Sequence, residues 1–236
     1  MNNQEYKAIL FDMDGTLVSM DQEEFMKEYF IQLVQVLKPY GLEDNALIKA
    51  VWAGTQAMIL NNGDKKNEDV FWDKFLGLTK IDGSSVRARM DQFYVNEFNE
   101  IKKIVSPNPK VKEVIELARQ KNRKVILATN PLFPRCAQLS RLAWIGLSEE
   151  DFDLITSYET DQYCKPNPKY FESICERIGV KPKDCLMIGN DEEEDMYSAT
   201  SIGMDAYLVT DYMIEREELP WNGPRGNFES LLELLK

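Results

Sequence analysis

The feature that most constrains this chain is a rhythm in its C-terminal half: short, continuously apolar runs, each followed by a stretch of helical periodicity. Val125-Ile126-Leu127-Ala128, Cys185-Leu186-Met187-Ile188-Gly189 and Ala206-Tyr207-Leu208-Val209 are such runs, and a weaker one lies around Asp153–Thr156. They are too short for helices and do not alternate with polar residues, so each predicts a strand buried on both faces. Helical patterns follow Val111, span Arg135–Ala143, open at Asn167-Pro168 and run to Ile178, and recur at Glu192–Ser201 and Phe228–Leu235. Strands alternating with helices require an α/β fold, a parallel sheet covered on both sides. The Gly/Pro-rich stretch Pro220–Gly226 reads as a surface loop.

One further apolar run, Lys7-Ala8-Ile9-Leu10-Phe11, stands alone near the N-terminus. Between it and the alternating half, from Asp21 to about Lys103, the pattern is helical throughout. Asp21 with Glu24 has the spacing of a capping box. Met26, Phe30, Leu33 and Leu37 then trace one helix face until Pro39 and Gly41 stop it. Leu47, Ile48, Val51 and Trp52 mark a second helix, ended by Asn61-Asn62-Gly63. Phe71 and Phe75 mark a third. Val86, Met90, Phe93 and Tyr94 mark a fourth, with Ser84 or Ser85 as its cap. The aromatic residues of this block, Trp52, Trp72, Phe71, Phe75, Phe93, Tyr94 and Phe98, are expected mostly in its core. An all-helical insertion thus separates the first strand from the rest.

Composition removes several chemistries. The chain of 236 residues has no histidine, so Ser-His-Asp and Cys-His catalysis and imidazole metal sites are excluded. A formal charge of −12 disfavours nucleic acid and anionic membranes as partners. No apolar run approaches the ~20 residues of a membrane span, and Met1–Glu5 has no secretory-signal character. The four cysteines show no C-x-x-C pairing and read as free thiols, which with the rest places the protein in the cytoplasm. Catalysis in such a chain falls to carboxylates, lysine, tyrosine or cysteine.

The unusual polar residues lie at the carboxyl ends of the predicted strands, where parallel sheets bind ligands. Asp12 and Asp14 follow the first, Thr129-Asn130 the second, Lys165 the loop after the third, and Asn190-Asp191 the fourth. Two aspartates at spacing two repel one another and call for a cation; oxygen donors favour Mg2+. A lysine and a threonine supply the positioning and charge balance that phosphoryl transfer needs. Gly15 lets the chain turn just after the carboxylates.

Asp12-Met13-Asp14-Gly15-Thr16 after an apolar strand resembles the first motif of the haloacid dehalogenase superfamily. Thr129-Asn130 resembles its second motif, Lys165-Pro166 its third and Gly189–Asp195 its acidic fourth. The resemblance implies a Rossmann-like core over 1–19 and 105–236, and a type-one helical cap over 20–104. It implies Asp12 as the nucleophile that becomes an aspartyl phosphate, and Asp14 as the acid and base. Thr129, Asn130 and Lys165 would hold the phosphoryl group, with Lys165 also balancing the charge of Asp12. Mg2+ would sit on Asp12, the Asp14 carbonyl and a residue of the fourth motif. There Gly189 is followed by Asn190 before Asp191, so the register is open. Asp191 is favoured as ligand because a carboxylate holds magnesium better than an amide. Asn190 and Asp195 are expected to support the metal loop, and Glu192–Glu194 to form an exposed, non-catalytic first helical turn. Family dehalogenases lack an aspartate at the position of Asp14. The activity implied is therefore that of a phosphatase acting on a small phosphorylated metabolite. A phosphosugar mutase and a non-catalytic binding protein are the alternatives, and the oligomeric state is open.

Overall fold

The computed structural model describes residues 5–41, 44–106 and 108–236. Met1–Gln4 and Pro107, on which parts of the signal-peptide and insertion-boundary readings rest, lie outside them.

Six parallel strands form one sheet in the order β3-β2-β1-β4-β5-β6. They are β1 (Ala8–Phe11), β2 (Lys124–Leu127), β3 (Leu154–Ile155), β4 (Cys185–Gly189), β5 (Asp205–Val209) and β6 (Arg225–Gly226). β1 is central, with Phe11 registered against Leu127 on one side and Ile188 on the other. Its four residues are fully buried. Because side chains alternate across a strand, Ile9 and Phe11 enter one hydrophobic layer and Ala8 and Leu10 the other. The expected strands are all present, displaced by no more than a residue or two at their ends. The Pro220–Gly226 stretch departs from expectation: it ends in β6, whose pairing extends the sheet beyond β5.

The core helices are α5 (Val111–Arg119), α6 (Arg135–Trp144), α7 (Lys169–Ile178), α8 (Ser198–Ser201) and α9 (Phe228–Leu235). The segment Glu192–Tyr197 is not α-helical as expected; it is a π-helical turn that runs into α8.

Among the described residues, four helices lie between β1 and α5, α1 (Gln22–Leu37), α2 (Asp44–Ile59), α3 (Asn67–Thr79) and α4 (Gly83–Val95), followed by the 3-10 segment Glu97–Ile104. Asp21 caps α1 by accepting from the Glu24 amide at 2.9 Å. The cap of α4 is Asp82 rather than Ser84 or Ser85, whose hydroxyls bond to Asp82 instead. The buried stripe of α1 also differs from expectation. Phe25, Tyr29, Leu33 and Leu37 are buried, whereas Met26 and Phe30 sit one position round the helix and are only partly covered. Phe25 and Tyr29 meet Phe98 and Phe133 at ring-centroid distances of 5.4–6.4 Å, so the helical block shares its core with one layer of the sheet. Burying each such ring contributes ~2 kcal/mol. Trp52 departs from the expected core: it is 43% exposed and packs on Phe30.

Candidate active site

The sheet brings the strand ends together because β2, β1 and β4 are neighbours in register. The Asp12 amide donates to the Ile188 carbonyl at 2.9 Å, and the Ala128 amide to that of Phe11 at 2.7 Å. Beyond Asp12 the chain turns at once, closed by bonds from the Gly15 amide to Val18 and from the Val18 amide to Met13, each 2.8 Å. Gly15 adopts φ +81°, and a Cβ there would collide with the Asn190 side chain. This turn lays the first strand end against the fourth.

A cleft opens above these ends, lined by Asp12, Asp14, Thr129, Asn130, Asn190, Asp191, Glu194 and Asp195. Every sequence-selected residue except Lys165 thus lines it, and Lys165 lies buried behind Asp12 and Asp195. Lys165 is 1% exposed, and its ammonium donates to Asp12 at 2.8 Å and to Asp195 at 2.5 Å. One cation therefore serves two buried carboxylates. Burial would strip its proton, but Asp12 and Asp195 reverse that and hold it firmly charged. The carboxylates bear the remainder: burial raises Asp12 and lifts Asp195 to about 7, against the pull of Lys165.

Asp195 has a second task. Its other oxygen accepts the amides of Asn190 and Asp191 at 3.0 and 3.1 Å, fixing the loop after β4. Gly189 makes this possible, since a Cβ there would occupy the place of the Asp195 carboxylate. Asn190 accepts from Thr16 at 3.3 Å and donates to the Tyr212 carbonyl at 2.6 Å. Asp191 caps the π-helical turn through the Glu193 and Glu194 amides, at 2.8 and 2.9 Å. The Thr129 carbonyl is pinned by Thr156 and Tyr170 at 2.7 and 2.9 Å, and Asn130 accepts from the Lys165 amide at 3.3 Å.

Three functional contacts were not read from the sequence. Arg141, fully buried on α6, pairs with the Asp14 carboxylate and with Gln138, its guanidinium 4.7 Å from the Phe133 ring centroid. Burial raises Asp14 and Arg141 opposes it; the net direction is upward. Arg216 donates to Asp191 at 2.5 Å. Glu194 is the third. Far from an exposed turn, it lines the cleft, accepts from Asn130 at 2.9 Å and is pushed by burial up to about 8. Glu192 is buried too, accepting the Arg216 and Trp221 amides at 2.6 and 2.8 Å. The sequence signal for these was weak: a run of acidic residues beside a strand end, and two polar residues at spacing three on α6.

Among the described residues no three acidic or thiol side chains converge as a closed metal set. The donors present are hard oxygens nonetheless, and Asp14 Oδ1 is buried without a hydrogen-bond partner. That fits Mg2+, which binds through one or two carboxylates and keeps waters or phosphate oxygens in its other positions.

The family model for a haloacid dehalogenase-like hydrolase matches residues 6–203. The chain belongs to this family. As a haloacid dehalogenase-like hydrolase it is similar to the phosphorylated carbohydrates phosphatase of Thermotoga maritima, at 25% identity over 84% of this chain and 82% of that one. A glyceraldehyde 3-phosphate phosphatase of Methanothermobacter thermautotrophicus is 36% identical, but over only 34% of this chain and 35% of its own length. The fold is shared with the hydrolase YfnB of Bacillus subtilis, solved bound to magnesium. Its TM-score is 0.59 at 19% identity, covering 98% of this chain and 99% of that one. No helix among the described residues is long and apolar enough to cross a membrane.

Proposed function

We propose that this haloacid dehalogenase-like hydrolase is a magnesium-dependent phosphatase of small organic phosphate monoesters, working through an aspartyl phosphate on Asp12. The observation that carries this reading is the buried Lys165 ammonium between Asp12 and Asp195, two of the five carboxylates that line the cleft. The phosphatases among its relatives support the same reaction class.

Asp12, the Asp14 carbonyl and Asp191 would hold Mg2+, with Asn190 and Asp195 supporting the loop. The ion supplies charge neutralisation for an anionic nucleophile meeting an anionic ester. Asp12 attacks phosphorus, forming an acyl phosphate as the ester P–O bond breaks. Asp14, whose carboxyl burial pushes above its ordinary range against the pull of Arg141, is the group placed to donate a proton to the departing alkoxide. Asp14 then takes a proton from a water that attacks the same phosphorus, releasing inorganic phosphate and restoring Asp12. Lys165, Thr129 and the Asn130 backbone position the phosphoryl oxygens. In this reading residues 20–104 are the cap and 1–19 with 105–236 the catalytic core. A mutase would have to seat a sugar under its cap; among the described residues the cavity there, described below, offers no charged side chain to hold one.

The test is phosphate release from a set of small phosphate esters, with magnesium and with chelator. We expect release that chelation stops and that Asp12→Asn abolishes while the variant stays folded. Full activity in chelator, or in Asp12→Asn, would overturn the assignment.

A further inference from the structure

A second cavity lies under the helical block, and it does not end at the block. Gln22, Met26, Leu132 and Phe133 line both this cavity and the catalytic cleft, so the two adjoin across these four side chains. Its walls are Tyr29, Phe30, Trp52, Phe71, Trp72 and Tyr94. Among the described residues no charged side chain lines it. Its polar groups are largely engaged already: the Tyr29 and Tyr94 hydroxyls bond to each other at 3.0 Å, and Gln22 donates to the Asp14 carbonyl at 3.4 Å. Thr55 is the remaining polar side chain on the wall, apart from the Tyr158 hydroxyl, which faces Trp72.

We infer that the substrate is a phosphomonoester whose alcohol portion carries an aromatic ring or a comparably large apolar group, seated in this cavity. The inference rests on the phosphatase reading and sharpens it. A phosphate held above Asp12 directs its ester oxygen away from that carboxylate, toward the four residues shared by the two spaces. Whatever is attached to that oxygen enters the aromatic chamber. A polyhydroxylated sugar would leave its hydroxyls facing rings there, losing water partners without replacement. A second phosphate or a carboxylate would find no cationic side chain on the cavity wall among the described residues. A ring gains from burial and from edge and face contacts with its neighbours. Phe30 and Trp52 both stand on the chamber wall, their ring centroids 5.6 Å apart, and Trp52 is 43% exposed. The Thermotoga maritima relative acts on phosphorylated carbohydrates, so the inference separates this chain from it in substrate class.

The experiment compares kcat/KM for esters of matched leaving-group basicity: ethyl phosphate, 2-phenylethyl phosphate and a hexose 6-phosphate, each with saturating magnesium. We expect 2-phenylethyl phosphate to exceed both others by at least about tenfold, the scale of burying one aromatic group. The Thr55→Phe variant, which fills the chamber, should cut the ratio of phenylethyl to ethyl ester by a similar factor. Equal or better turnover of the hexose or ethyl ester by the unaltered protein would overturn the substrate class and leave the phosphatase reading intact. Magnesium-dependent release from none of the three, or from any other ester tried, would remove the phosphatase reading, and this inference with it. If Thr55→Phe does not fold, the ratios measured on the unaltered protein decide.

Discussion

At the scale of single residues the site is built on unequal pairing. Arg141 is buried and bonded to Asp14, so removing it leaves a carboxylate in a poorly solvated place with its nearest counter-charge gone and only the weaker pull of Lys165 remaining. We expect Arg141→Ala to cost about 3 kcal/mol of stability, seen in denaturant melts. At a temperature where the variant is folded, kcat should fall more than KM rises, since Asp14 acts in the transition state. Arg141→Lys restores the charge but not the planar fork, and should recover stability better than kcat. A variant that lost stability alone would make Arg141 a packing residue only. Arg216 poses a different question. It occupies the Asp191 carboxylate that we assign to magnesium, so ion and guanidinium compete. Arg216→Ala should therefore lower the magnesium concentration for half-maximal activity. Asp191→Ala should raise it, and by more than Asn190→Ala does. The reverse order of the last two would assign the ligand to Asn190.

At the scale of elements, the decisive join is between β4 and the π-helical turn. Gly189 leaves the space that the Asp195 carboxylate fills, and that carboxylate fixes both the loop amides and Lys165. Gly189→Ala should displace Asp195 and loosen Lys165, although Gly189 itself does not line the cleft. The expected result is a loss of at least tenfold in kcat, with the circular dichroism spectrum retained. The strands leading to this join were legible in the sequence because buried parallel strands are written as unbroken apolar runs. The residues after them were legible as candidates, because Asp12, Asp14 and Thr129 stand at strand ends and Lys165 in the loop after a strand, where parallel sheets bind ligands. What the sequence hid is non-local. Nothing near Glu192 announces that its partners are backbone amides of Arg216 and Trp221. Periodicity at 3.6 residues per turn cannot show a π-turn, nor that Asp82 outcompetes two serines as a cap. Helix α1 was read one position off because Met26 and Phe30 are as apolar as Phe25 and Tyr29; only the neighbours decide which pair is covered.

At the scale of the whole molecule, charge is concentrated where the strands end. Among the described residues the cations paired with or acting on Asp12, Asp14, Asp191, Glu194 and Asp195 are Lys165, Arg141 and Arg216, five carboxylates against three cations, in a chain already at −12. Such a site is stable only if some carboxylates keep a proton or a divalent cation arrives. Without metal, Glu194 is held up to about 8 from an ordinary 4.5, and Asp195 up to about 7 from 3.8. The folded state then binds more protons than the unfolded chain between those limits. Stability from these groups is full below the ordinary carboxylate range and is lost as pH rises through about 7 to 8. Carboxylates elsewhere titrate with the opposite sign, Asp82 and Glu97 among them, so the contribution must be isolated by difference. In chelator, Glu194→Gln should match the unaltered protein in thermal stability near pH 5 and exceed it near pH 8. Magnesium should stabilise the unaltered protein most at the higher pH, because there it replaces protons the site can no longer keep. If Glu194→Gln brings no gain at pH 8, burial does not hold that carboxyl up. If magnesium stabilises equally at both pH values, its binding is not coupled to the protons of this cleft, and the metal belongs elsewhere in the molecule.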